Sequence, residues 1–262
     1  ISGRMGRGGT LASATGGGAG GGGFNTLSGS FDGTDDYLTT TQSGLSTDGD
    51  VTISLWFNSA SVPGSGAYDY MFSLTDVQAG GEDRAVGITN GQIVINTYAN
   101  GWDNPYTNTS ISQDTWYHVA VVFIRSAPTN TVYLNGVSKG TKSIGMNDVS
   151  PYSETVIGGM LYSSANQFNG KIDEVSVFHS ALSSTNVTAI YNDGVPGDIS
   201  SLDPKGWWRN GDGTGDTDSG GGTPEDTDTI GTVVNQGSVN TGSGEGNMTG
   251  TNGATYSDSV PE

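Results

Sequence analysis

Residues 169–178 read NGKIDEVSVF, a strand-like run with two adjacent carboxylates, Asp173 and Glu174, at its centre. Successive side chains of a strand point to opposite faces. Asp173 is therefore expected to share the inward face with Val175 and Val177, and Glu174 to point outward with Ser176. Two acids on opposite faces cannot flank one bond, so they are not read as a catalytic pair. A buried carboxylate is costly unless it is paired, hydrogen-bonded or metal-bound. Asp173 thus calls either for a cation or for backbone N–H donors, and both readings stand.

Working outward from this decapeptide, residues 180–194 (SALSSTNVTAIYNDG) give the one helical signal. Ser183 or Ser184 can cap it, Val187, Ile190 and Tyr191 share a face, and Gly194 can end it. VTISLWFN at 51–58 alternates Val51, Ile53, Leu55 and Phe57 against Thr52, Ser54 and Trp56, the period of a half-buried strand. WYHVAVVFI at 116–124 is more continuously apolar and reads as a central strand. Asn90-Gly91 and Asn135-Gly136 each separate two β-compatible runs and favour type I′ hairpin turns. Short strands at regular spacing with one short helix imply an all-β fold, an antiparallel sandwich of jelly-roll type.

Composition limits what the chain can bind. It has 262 residues, of which 44 are glycine, and only 32 % are hydrophobic, so the packed core must be local. The formal charge of −18, from 9 basic and 27 acidic residues, argues against nucleic acid and anionic membranes as partners. The same carboxylates are raw material for hard cations such as Ca²⁺. There is no cysteine and so neither disulfide nor thiolate chemistry. No apolar run is long enough for a membrane span. The start at Ile1 reads as that of a processed product.

The chain divides into three zones by composition. Residues 1–23 form a Gly-rich arm with Arg4 and Arg7 and no acid. Ordering each such residue costs roughly 1–2 kcal/mol, so the arm is expected to pack on neighbouring subunits. Residues 24–200 carry the strand signals. Residues 201–262 are acidic and rich in Gly, Thr and Asn, and are expected to form an irregular extension or a calcium-laced loop. Trp207 and Trp208 at its start are too large to leave in water, so this segment is expected to dock on the sandwich or on a neighbour.

The ordered set LSGSFDGTDDYLTT, DVTISLWFN, QDTWYHVAVVF, TVYLNGVSKG, ETVIGG and FNGKIDEVSVFHSALSSTNVTAIYNDG resembles the concanavalin A-like, laminin-G/pentraxin-type jelly-roll domains over residues 27–195. The segment from GWWRNGD onward resembles the regions C-terminal to such domains in structural proteins of marine phages. The first resemblance implies two antiparallel sheets and, in many members, Ca²⁺ at the sandwich rim. It places the Asp173 equivalent near the FDG strand, so Asp32 and Asp35 are the candidates to share a calcium ion with Asp173. The glucanases of the superfamily carry their acids at alternate positions of one strand, a pattern NGKIDEVSVF lacks. Catalysis is therefore not expected.

A second constellation lies in NTYANGWDNPYTNTS at 96–110. Tyr98, Trp102, Asp103, Asn104 and Tyr106 combine aromatic faces with amides and a carboxylate, the means of holding a sugar. The alternative is that these aromatics anchor the loop on the sandwich or against another subunit. His118 and His179 read as structural. The resulting expectation is a non-enzymatic structural or surface protein of an assembly, as in a phage virion (capsid decoration or fibre). Arg4, Arg7, Trp207 and Trp208 would contact other subunits of a homo-oligomer or particle, at a virion or extracellular surface. The alternative is a Ca²⁺-dependent carbohydrate-binding adhesion module that recognises surface glycans.

Overall fold

The computed structural model describes residues 25–41, 45, 49–76, 81–97, 104–106, 108–144, 154–161, 166–238 and 246–261. Arg4, Arg7, Tyr98, Trp102 and Asp103 lie outside the described residues. The described strands are β1 (Ser28–Asp32), β2 (Tyr37–Thr41), β3 (Val51–Ser59), β4 (Asp69–Asp76), β5 (Gly81–Thr89), β6 (Gln92–Asn96), β7 (Asn104–Tyr106), β8 (Trp116–Ile124), β9 (Thr129–Leu134), β10 (Val137–Ser143), β11 (Glu154–Ile157), β12 (Asn169–Phe178), β13 (Gly206–Trp208), β14 (Thr217–Asp218), β15 (Ile230–Val233), β16 (Met248–Thr251) and β17 (Thr255–Ser257). One sheet runs β10-β9-β8-β3-β12-β1-β17, with β13 also paired to β12; the other runs β14-β15-β16-β2-β11-β4-β5-β6-β7. All named pairings are antiparallel.

Both Asn-Gly hairpins form. Asn90 and Gly91 have φ of 47° and 69°, and Asn135 and Gly136 have 50° and 72°, the two successive positive angles a type I′ turn requires. Between the sheets, Leu55, Phe57, Phe72, Ile95, Phe123 and Val175 belong to one buried cluster. Each such side chain contributes about 1.5–3 kcal/mol by leaving water.

A second apolar layer covers the outer side of the first sheet. The helix α1 (Ser184–Tyr191) begins at Ser183, whose hydroxyl accepts from the Asn186 N–H, and ends at Asn192 in the left-handed region. Val187 and Ile190 pack with Ala120, Val122, Phe178 and Trp207. Strand β3 is therefore buried on both faces, not one. Trp56, expected on a half-solvated face, is only 3 % exposed, with His118 and Tyr191 rings 5.1 and 5.7 Å away. His118 is structural: its Nε2 lies 2.8 Å from the Ser54 hydroxyl, and burial pulls its pKa down to about 3, leaving it neutral at pH 7.

The acidic C-terminal residues are not an irregular extension. β13 joins β12 and β17 joins β1, while β16 joins β2 and carries β15 and β14 outward. Few apolar residues suffice because they are well placed: Trp208, Ile230, Val233, Met248 and Tyr256 all enter the main core. Two acids of this segment hold the loop backbone. Asp216 accepts from the Gly211, Gly213 and Val234 N–H groups at 2.9, 3.0 and 2.7 Å, and Asp218 accepts from those of Gly220 and Gly222.

Candidate functional site

The expected facing of Asp173 and Glu174 fails because β12 contains a bulge. Asp173 lies opposite Trp56 and Ser176 opposite Ser54, so three steps on β12 match two on β3. Glu174 is the extra residue, with φ of 47°. The bulge inverts the alternation: Val175 and Val177 still face the main core, but Asp173 turns to the Trp56 face. Glu174 is not an outward residue either, being 6 % exposed, and Asp173 is wholly buried.

Each acid has its own partners. The Asp173 carboxylate accepts from the Asn25 amide and from the Glu174 N–H, both at 2.8 Å. Glu174 accepts from Trp207 Nε1 at 2.6 Å and from Arg209 Nε at 2.9 Å. Asp212 accepts from the Thr26 and Leu27 N–H groups at 2.7 and 2.9 Å, tying the segment before β1 to the loop after β13. Burial, and then the neighbouring Glu174 charge, hold the Asp173 pKa well above the ordinary carboxylate range. Burial pushes Glu174 up to about 7, against the pull of Arg209. The Asn25 and Asn210 side-chain oxygens are buried without a hydrogen-bond partner.

Asp173 does not join Asp32 and Asp35. In the register Asp32 faces Asn169, four residues before Asp173, or about 13 Å along the strand. Among the described residues the carboxylates that converge are Asp32, Asp35 and Asp36, with ligand atoms within 4.8 Å of one another. They line the β1–β2 turn, where Asp36 accepts from the Asp32 N–H and Asp32 from the Thr34 N–H. Burial and the Asp32 charge raise the Asp36 pKa.

The tryptophans expected at a subunit contact are consumed within the chain. Trp207 is 5 % exposed, packed in the layer beneath α1, and Trp208 is wholly buried, donating to the Gly246 carbonyl at 2.7 Å. Of the expected sugar-binding loop, Asn104 is described only as the first residue of β7. Tyr106 is 2 % exposed and donates its hydroxyl to the Asn130 carbonyl at 2.7 Å. Its ring is a core anchor closed to a ligand.

The face open to a ligand is one the sequence did not single out. On the outer side of the second sheet, Thr217, Thr232, Thr249, Thr39, Val156, Ser73, Ala85 and Asn96 stand opposite one another across eight strands. Val156, Ser73 and Ala85 are buried; Met160 packs against Ala85, and Ser73 donates to the Gly159 carbonyl. Thr217, Thr232 and Thr249 are exposed or half-exposed, as are Tyr37 and Thr251 beside them, whereas the Thr39 hydroxyl oxygen is buried. At 4.7–4.9 Å between strands the uncharged hydroxyl row of Thr217, Thr232 and Thr249 is about 10 Å long. The Asp32–Asp36 turn stands at its end, joined by the Asn252 amide donating to the Asp35 carbonyl. Cross-strand register alone could have revealed the row, and β14–β16 carry too little alternation to give it.

A family model described as the concanavalin A-like lectin/glucanases superfamily matches residues 32–188. Strands β13–β17 lie beyond it. Among solved structures, the fold resembles a putative carbohydrate-binding protein from Bacteroides ovatus at a TM-score of 0.63 and 18 % identity, over 90 % of this chain and 61 % of that one. It also resembles a heptameric SAP-like pentraxin from Limulus polyphemus at a TM-score of 0.53 and 18 % identity, over 64 % of this chain and 83 % of that one. At these identities the likeness is one of fold. No curated protein sequence matches.

Proposed function

Because this chain belongs to the concanavalin A-like lectin/glucanases superfamily, we propose that it is a non-catalytic carbohydrate-binding domain whose ligand lies on the outer face of the second sheet. The observation that carries this reading is the uncharged row Thr249, Thr232 and Thr217, flanked by Tyr37. Hydroxyls that both donate and accept, beside a partly exposed aromatic ring, suit sugar hydroxyls and C–H faces. The likeness to the Bacteroides ovatus protein supports the same class. A row without charge in a chain of −18 favours neutral glycans over anionic ones.

The non-catalytic part of the reading rests on the acids. Glycosidic cleavage needs two carboxyl groups facing each other across a substrate. Asp173 and Glu174 are buried and engaged, and Asp32 and Asp36 are held by N–H groups of their own turn. A glycan array followed by affinity electrophoresis tests the proposal. Thr249→Arg, at an exposed position, is expected to abolish binding to the neutral glycan found, while Lys139→Ala leaves it unchanged. An array on which the wild type retains no glycan refutes the reading.

A second reading, a subunit of a virion or other surface assembly, is favoured by residues 1–23, a Gly-rich arm with Arg4 and Arg7 in a strongly acidic chain. Cationic arms are drawn to acidic neighbours of the same kind. Light scattering on the full chain and on residues 25–262 tests it: an oligomer that survives loss of the arm, or a monomer in both, removes this role.

A further inference from the structure

We propose that Asn90, at the tip of the β5–β6 hairpin, is a site of spontaneous covalent modification: the Gly91 nitrogen displaces its side-chain amide, and the residue becomes aspartate or isoaspartate. The site does not rest on the glycan-binding reading.

The chain holds six Asn-Gly pairs, at 90–91, 100–101, 135–136, 169–170, 210–211 and 252–253. The pair at 100–101 lies outside the described residues. Glycine after asparagine opens the reaction, because it has no Cβ to hinder its own nitrogen and its backbone rotates with little restriction. That nitrogen gives up its proton to solvent and bonds to the asparagine Cγ. The Cγ–Nδ2 bond breaks, and the amide takes a proton from water and leaves as ammonia. Water then opens the five-membered imide at one carbonyl or the other, to aspartate or to isoaspartate. Nothing is oxidised or reduced, and water is the only co-reactant.

All six pairs share this chemistry, but the fold sets the five described ones apart. Asn210 is wholly buried and donates to the Ile172 carbonyl at 2.8 Å. Asn135 is half-buried, and its side-chain oxygen accepts from the His118 N–H at 2.9 Å. Asn169 and Gly170 lie within β12, which is paired here to both β1 and β3, and the Asn169 carbonyl accepts from the Ala60 N–H at 3.0 Å. Asn252 is exposed, yet its amide donates to the Asp35 carbonyl at 3.0 Å. Asn90 is exposed, and among the described residues its side chain makes no hydrogen bond. The hairpin ladder closes through Thr89 and Gln92, so the Gly91 N–H has no place in it. Each of the other four pairs must first break a bond or open a strand. A buried bond left unmade holds the conversion back by about tenfold or more.

Isoaspartate carries the chain through its side-chain carbons and so adds one backbone atom to a two-residue turn. The Gly91 carbonyl accepts from the Ile111 N–H at 2.9 Å, and the Ile111 side chain belongs to the main core. A lengthened turn therefore pulls on the segment that follows β7.

To test this, the full chain is kept in warm, mildly alkaline buffer, sampled over time and digested, and each Asn-Gly peptide is followed by mass spectrometry, with isoaspartate located by fragmentation. Asn90 is expected to convert first, about tenfold or more faster than Asn135 and Asn210. In urea, with the chain unfolded, the five are expected to convert at similar rates. The isoaspartate fraction, separated by its added negative charge, is expected to melt below Asn90→Asp, which has the same charge without the extra atom and keeps a turn-favouring Asp-Gly pair. Conversion of any of the other four as fast as Asn90 in the folded chain overturns the proposal. So does an Asn90 that stays intact while the unfolded chain loses it, or an equal lead of Asn90 in urea. An isoaspartate fraction that melts with Asn90→Asp overturns the consequence drawn for the turn.

Discussion

Replacing Arg209 by Met isolates the buried ion pair that joins β12 to the C-terminal strands. Arg209 and Glu174 side chains are 13 % and 5 % exposed and 2.9 Å apart, so little solvent screens them. In Arg209→Met the Glu174 carboxylate keeps only the Trp207 N–H, at 2.6 Å. An uncompensated buried charge of this kind costs about 3–5 kcal/mol. Glu174→Gln leaves a neutral group that still accepts from Trp207, and the Arg209 it abandons retains the Asp212 carbonyl. About 1–3 kcal/mol is expected there, the cost of a lost charge-assisted bond. The double variant Glu174→Gln/Arg209→Met removes both charges and is expected to recover to within about 1–2 kcal/mol of wild type. Urea unfolding, monitored by tryptophan fluorescence, gives all four corners of the cycle. If Arg209→Met costs under about 1 kcal/mol, or if the double variant loses the sum of the singles, Glu174 is not the buried partner that the bulge makes it.

Other positions carry three more expected outcomes. At the start of β4, burial pushes the Asp69 pKa up to about 6. Its folded pKa lies above 3.8, so the stability it contributes is full below pH 3.8 and lost as pH rises through about 6; the wild-type melting temperature should therefore fall from pH 4 to 7 relative to Asp69→Asn, and a constant gap between the two speaks against this. Tyr106→Phe loses one buried bond to Asn130, so about 1 kcal/mol in urea unfolding with unchanged glycan binding is expected; lost binding would return this ring to the ligand site. A chain ending at residue 200 lacks β13–β17 and uncovers β1, β2 and β12; limited proteolysis should digest it where the full chain resists, and equal resistance would mean that the C-terminal strands are dispensable.

Much of the scaffold was legible from local signals. Asn90-Gly91 and Asn135-Gly136 dictate their turns because few other residues tolerate two successive positive φ angles. Ser183 starts α1 through capping chemistry confined to one turn of chain, although the helix ends at Asn192 rather than at the expected Gly194. The features that escaped depend on partners distant in sequence. Tyr106 reads as a loop aromatic until Asn130 is found beneath its hydroxyl, and the threonine row exists only once β14, β15, β16 and β2 are laid in register.

The sequence by itself determined the class of fold, the sites of its turns and helix, and the need for something to satisfy Asp173. Period-two patterning and turn residues are properties of neighbours along the chain. Only the tertiary structure decided which way Asp173 and Glu174 face, because one extra residue between Asp173 and Ser176 inverts the alternation that a regular strand would keep. It alone placed the low-hydrophobicity C-terminal residues in both sheets, since a few buried side chains and backbone-capping aspartates stabilise strands that composition does not reveal.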